Sequence, residues 1–241
     1  MLLSILSSNN SFGMKIVLLL ISVFTLLPAL SLHEFAHGYA AYKCGDPTAK
    51  SMGRLSLNPF AHLDPMGTLM LLIAGFGWAK PVPINSSYFR KPRRDIALVS
   101  LAGPLMNFLL AAVSILLRSL AANIALYTGN ISSNIVYIIL FIFDSFALLN
   151  LGLGLFNLIP LPPLDGSNVL MCLLKPQAAA KYSKIRYYSR YIFLGLVLLT
   201  WLPYPINRIS DIIFFPLDFL RESMYTGLLK LFNAFFSLFF K

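Results

Sequence analysis

Three observations predict an all-α polytopic membrane protein with four to six transmembrane helices and a short re-entrant β-hairpin or loop near residues 69–90. The 241-residue chain is 58% hydrophobic and only 12% charged, with a mean hydropathy of +0.75, too apolar for a soluble globular protein of this length. Apolar stretches of about 20 residues, enough to cross a bilayer as a helix, recur along it. The lysines and arginines behind its net charge of +10 fall in short clusters between those stretches, a pattern that records membrane orientation and not a nucleic-acid groove.

The first span covers residues 16–42. Lys15 ahead of an apolar core, with Ala-Leu-Ser at 29–31, has the outline of a cleaved signal peptide. The apolar run continues past that point, so an uncleaved span is expected. Pro28, about one turn before His33, frees backbone carbonyls and reads either as an aid to water entry or as a tolerated kink.

Leu69 to Phe76 is too short to cross, and Gly75 and Gly77 interrupt its end, so a re-entrant or interfacial segment is expected. In "GWAKPVPIN", residues 77–85, Pro81 and Pro83 cannot donate to a sheet ladder, which favours an extended edge. Such an edge suits strand addition to an unwound peptide; the competing reading is a rigid interfacial loop anchored by Trp78.

Further spans follow at 95–117, 135–156 and 190–206. The stretch 211–241, with Pro216, Lys230 and many phenylalanines, either crosses once or lies in the interface. No internal repeat or long linker divides the chain, so residues 1–241 read as one integral-membrane domain.

Arg90, Lys91, Arg93 and Arg94 form one dense basic cluster, and Lys175, Lys181, Lys184, Arg186 and Arg190 the other. The link after Arg118 has no lysine or arginine before the next span. Both clusters are therefore placed in the cytoplasm. The chain then runs outward from Asp95, returns from about Asn134 and reaches the cytoplasmic face near Asn157. Lys43, Lys50 and Arg54 put the end of the first span on the same side.

At that end lies "SLHEFAHGYA", residues 31–40. His33 and His37 stand four residues apart, so both imidazoles leave one helix face and can bind one zinc ion, with Glu34 beside it as general base. The chain has three histidines and two glutamates in all, and these three residues fall within five positions inside a span, where ionisable groups mark function.

A catalytic zinc wants three protein ligands and one open position. His62, Asp64, Asp144 and Asp165 are the candidates for the third. Topology favours Asp165, in "NLIPLPPLDG" just after the span that returns to the cytoplasmic face, because it arrives at the depth of the histidines. Asp144 sits nearer the membrane centre, suited to a polar partner or a water path. His62 and Asp64 lie in a proline-bounded loop that reads as a turn, a gate or an accessory metal site.

Three motifs in order, His33-Glu34-x-x-His37, Gly103-Pro104-x-x-Asn107, and Asn157-x-x-Pro160-x-x-x-x-Asp165-Gly166, resemble those of the site-2 protease family of intramembrane zinc metalloproteases. The resemblance covers most of the chain. It implies one zinc ion per chain held by His33, His37 and Asp165, Glu34 activating water, and cleavage within or near transmembrane segments of other membrane proteins, as in regulated intramembrane proteolysis. It also implies a multi-pass cell-membrane enzyme with its site toward the cytoplasm. No stretch is long and polar enough for the PDZ domain that many members carry, so the likeness is to the compact branch.

Asn157 and Asn107 are the candidates to stabilise an oxyanion, or else to bond backbone freed by a nearby proline. The expected partners are a transmembrane protein substrate and the lipid bilayer, without nucleic acid. The alternative function is a membrane metal-binding protein or metal transporter without proteolytic activity, which has no need of Glu34. Cys44 and Cys172, both on the cytoplasmic side and outside any C-x-x-C pair, read as ordinary thiols.

Overall fold

The computed structural model describes residues 11–74, 78–199 and 207–240. Helix α1 spans Phe12–Lys43 and opens at Ser11, whose side chain accepts from the Met14 N–H. It ends where Gly45 takes a φ of +109°, a conformation that relieves glycine of nothing but would strain a residue with a Cβ. A short helix α2 (Thr48–Ser51) and the helix α3 (Pro65–Ala74) follow.

Pro92 begins α4 (Pro92–Tyr127), as proline tolerates a first-turn position with no backbone donor to lose. Asp95 accepts from the Lys91 N–H at 2.8 Å and closes that first turn. Then come α5 (Asn134–Asn157), α6 (Asp165–Leu173), α7 (Pro176–Leu199) and α8 (Asn207–Phe236).

Among the described residues α1, α4 and α5 are long and apolar enough to cross a membrane. They match three of the four expected spans. The fourth, 190–206, coincides with the end of α7 as far as Leu199, and its residues 200–206 lie outside the described ones. The expected re-entrant hairpin or loop takes another form: residues 65–74 are a helix, and among the described residues the pairing there is one isolated antiparallel bridge, Leu63 to Ala79. Gly75 and Gly77 lie outside the described residues.

Helix α4 is the hub, packing against α1, α5, α6 and α8. Lipid offers no hydrophobic drive between helices, so close approach of small residues does the work. Ala111 and Ala147 are fully buried where α4 meets α5, and a Cβ on Gly154 would stand 2.6 Å from the Phe108 ring. Tyr225, Leu228 and Phe232 of α8 pack over this seam.

Helix α8, which covers most of 211–241, packs along the bundle, although it is not among the helices apolar enough to cross by themselves. Phe214 lies 6.5 Å from the Phe156 ring at the end of α5, and Phe240 lies 6.1 Å from the Tyr127 ring at the end of α4. The segment thus runs the whole depth between the two ends of the bundle. It is tied midway: Arg118 on α4 donates to Asp144 on α5 at 2.9 Å, and the Tyr225 hydroxyl on α8 donates to the same carboxylate oxygen. Asp144 is therefore a helix-joining group and not a metal ligand.

Candidate metal centre

The helical repeat of α1 stacks His33 and His37 on one face, with ring centroids 4.6 Å apart and planes at 86°. Both are 7% exposed. The sharp return after α5 then carries Asp165, the first residue of α6, onto them. That return depends on Gly166, since a Cβ there would stand 2.2 Å from the Leu158 carbonyl oxygen.

Three atoms converge. His33 Nε2 and His37 Nε2 are 3.1 Å apart, and Asp165 Oδ2 lies 3.3 Å from the first and 3.2 Å from the second. Each imidazole spends its other nitrogen on an acceptor: His33 Nδ1 donates to Asn107 Oδ1 at 2.5 Å, and His37 Nδ1 donates to the Val99 carbonyl at 2.7 Å. With Nδ1 protonated, each neutral ring presents a bare Nε2 lone pair.

Two lone pairs and a carboxylate oxygen thus face one another with no hydrogen between them, and buried Asp165 Oδ2 has no hydrogen-bond partner. Three mutually repelling acceptors call for a cation. Their spacing fits zinc: at ligand distances of about 2.0–2.1 Å, the corners of a tetrahedron stand about 3.3 Å apart.

Gly103 forms the wall against the rings. A Cβ there would stand 2.4 Å from His37 Nε2 and 2.6 Å from His33 Cε1, so only glycine leaves the rings where they are. This gives the glycine of the Gly103-Pro104 motif its physical reason.

Glu34, half-buried beside the pair, accepts from the Val82 N–H at 3.0 Å. Between two prolines Val82 is the one donor available, and its side chain sits against Gly38 of α1. Arg54 holds the segment by donating to the Lys80 carbonyl at 2.9 Å. The strand-addition reading of residues 77–85 needs correcting accordingly: the Val82 N–H is spent on Glu34 and the Lys80 N–H on the His62 carbonyl.

The other candidates stand apart from the cluster. His62 donates from Nε2 to the Ser56 carbonyl at 2.7 Å, and Asp64 accepts from the Gly67 N–H. Among the described residues only His33, His37 and Asp165 form a group able to hold a metal. Asn157 ends α5 and donates to the Leu153 carbonyl at 3.0 Å, within its own helix. Asn107 is committed to His33. Val99 and Asn150, which also bear on the histidines, were not singled out in the sequence; a backbone carbonyl leaves no trace there, whereas an amide inside an apolar span does.

A helical membrane bundle enclosing such a donor set has the makings of a metal-dependent enzyme, and comparison with known proteins gives the family. Residues 117–200 match Peptidase family M50. The "Putative zinc metalloprotease YwhC" of Bacillus subtilis is 41% identical over 220 residues, covering 89% of this chain and 91% of that one. The "Putative zinc metalloprotease Rip2" of Mycobacterium tuberculosis is 34% identical over 179 residues, 71% of this chain and 64% of its own. "Zinc metalloprotease MJ0392" of Methanocaldococcus jannaschii is 28% identical over 184 residues, 76% and 41% of the two chains. No solved structure matches. The chain belongs to peptidase family M50, the site-2 protease family, and is a zinc metallopeptidase of the membrane.

Proposed function

We propose that this enzyme cleaves other membrane proteins within or near their transmembrane segments, using one zinc ion per chain held by His33, His37 and Asp165. The observation that carries this reading is the convergence of three acceptors with no donor among them, inside a helical bundle.

When bound, zinc lowers the pKa of a coordinated water to about 7 and polarises a carbonyl, which supplies hydrolysis without a strong base. Glu34 is held by Val82 through Oε2, which leaves Oε1 to take the proton from water and pass it to the leaving amine. Asn157 is assigned as the oxyanion donor on its place in the family's motif alone, with one Nδ2 hydrogen spent on the Leu153 carbonyl and the second left to donate. Val99 and Asn107 keep both imidazoles turned toward the centre.

A cytoplasmic position for the site is supported by the basic residues. Arg93 donates to the Leu174 carbonyl, which brings the two clusters side by side at the end of the bundle that holds Asp165.

The test is metal analysis of purified protein together with cleavage of a co-expressed membrane protein. Glu34→Gln should retain stoichiometric zinc and lose cleavage. A protein without zinc, or one that cleaves normally as Glu34→Gln, sinks the reading. The same variant separates the protease from a metal carrier, which would not notice the change.

A further inference from the structure

Asn150 is fully buried in the last third of α5, and the proposed chemistry does not use it directly. An amide at that depth is costly unless bonded. Asn150 is bonded at both ends: Nδ2 donates to the Phe146 carbonyl at 2.8 Å, and Oδ1 accepts from Asn107 Nδ2 at 2.8 Å. Asn107, also fully buried, then accepts from His33 Nδ1.

The direction of this chain of bonds is set from one end. A backbone carbonyl only accepts, so the group of Asn150 that faces Phe146 is its NH2 and the group that faces Asn107 is its oxygen. An oxygen there takes the NH2 of Asn107, which turns Asn107 Oδ1 toward His33. That oxygen only accepts, so the hydrogen sits on His33 Nδ1 and the lone pair on Nε2, beside Asp165. A second partner of Asn107 Nδ2, the Ala29 carbonyl, is at 3.4 Å, near the limit for such a bond, so Asn150 is the stronger constraint.

The structure assigns Asn150 as a positioning residue that acts through Asn107 to fix the tautomer and ring direction of His33, and so supports the metal. The inference rests on the proposed zinc ligation by His33. His37 needs no such relay, because a backbone carbonyl fixes it directly.

The test is zinc affinity of the full-length protein in detergent, by competition with a chromogenic chelator, in wild type, Asn150→Leu, Asn107→Leu and the double variant. Asn150→Leu should weaken zinc binding about 10–100-fold, the usual cost of losing outer support for a ligand. The double variant should bind no more weakly than Asn107→Leu alone, because the two residues act in series. Cobalt-substituted Asn150→Leu should also show a shifted visible spectrum. Asn150→Ala, which opens space instead of filling it, should reproduce the loss, separating lost bonding from a packing clash. The inference is overturned if both Asn150 variants bind zinc like wild type, or if the double variant loses the product of the two single losses, as two independent structural defects would. Absence of stoichiometric zinc in wild type overturns the proposed function and this inference with it, whereas failure in the Asn150 variants alone leaves the function standing.

Discussion

The backbone N–H of Val82 donates to Glu34 Oε2 at 3.0 Å, joining a proline-flanked segment to the residue beside the metal ligands. One oxygen of the proposed base is thereby pinned and the other left for chemistry. The bond also ties residues distant in sequence, so the loop between α3 and α4 helps define the site.

Val82→Pro removes that donor. Turnover should fall about 10–100-fold, the equivalent of losing a charge-assisted hydrogen bond worth about 1.5–3 kcal/mol. Zinc content should not change. Val82→Ala, which keeps the N–H and loses only side-chain packing, should stay closer to wild type; equal losses in the two variants would show that packing on Gly38, and not the hydrogen bond, matters.

Glu34→Gln keeps an oxygen to accept from Val82 and so leaves the segment in place. Loss of proton transfer should lower the cleavage rate about 100-fold or more. The measurement is single-turnover cleavage in micelles, with zinc content determined on the same sample.

Gly103→Ala would put a methyl group 2.4 Å from His37 Nε2 and 2.6 Å from His33 Cε1. Alanine is a better helix former than glycine, so α4 itself should not suffer. The rings must shift, and zinc affinity should fall about tenfold or more while helix content stays the same. Chelator competition and circular dichroism read the two quantities; unchanged affinity would refute the close approach.

Asp144→Leu leaves Arg118 without its partner among α4, α5 and α8. Loss of one member of a buried ion pair costs about 3–5 kcal/mol, reduced here because both side chains keep some exposure. Unfolding in mixed micelles should show a loss of about 1–3 kcal/mol. Adding Arg118→Leu should recover part of that, and zinc affinity should be unaffected throughout.

The site was more legible in the sequence than its surroundings. His33 and His37 announce themselves because polar groups are rare in an apolar span and helical spacing sets their geometry. Asp165 followed from counting crossings, since a carboxylate just after the returning span must reach the same depth. The loop before α4 was harder to read: prolines forecast an extended shape, but not that its donors turn inward to Glu34 and His62. Helix α8 was ambiguous because its charges lower its hydropathy, and only packing against α4 and α5 shows that it runs the full depth. Asn107 reads in the sequence as an oxyanion donor or as a bond to freed backbone, and its hydrogen bonds give it a third task, holding His33 Nδ1 and Asn150.

The proposed third ligand lies on a different element from the imidazole pair, and this orders events during synthesis. The pair is laid down in the first crossing, while the carboxylate arrives only after the third, at the start of α6. On the proposed ligation, a nascent chain has no complete ligand set until three helices have been laid down.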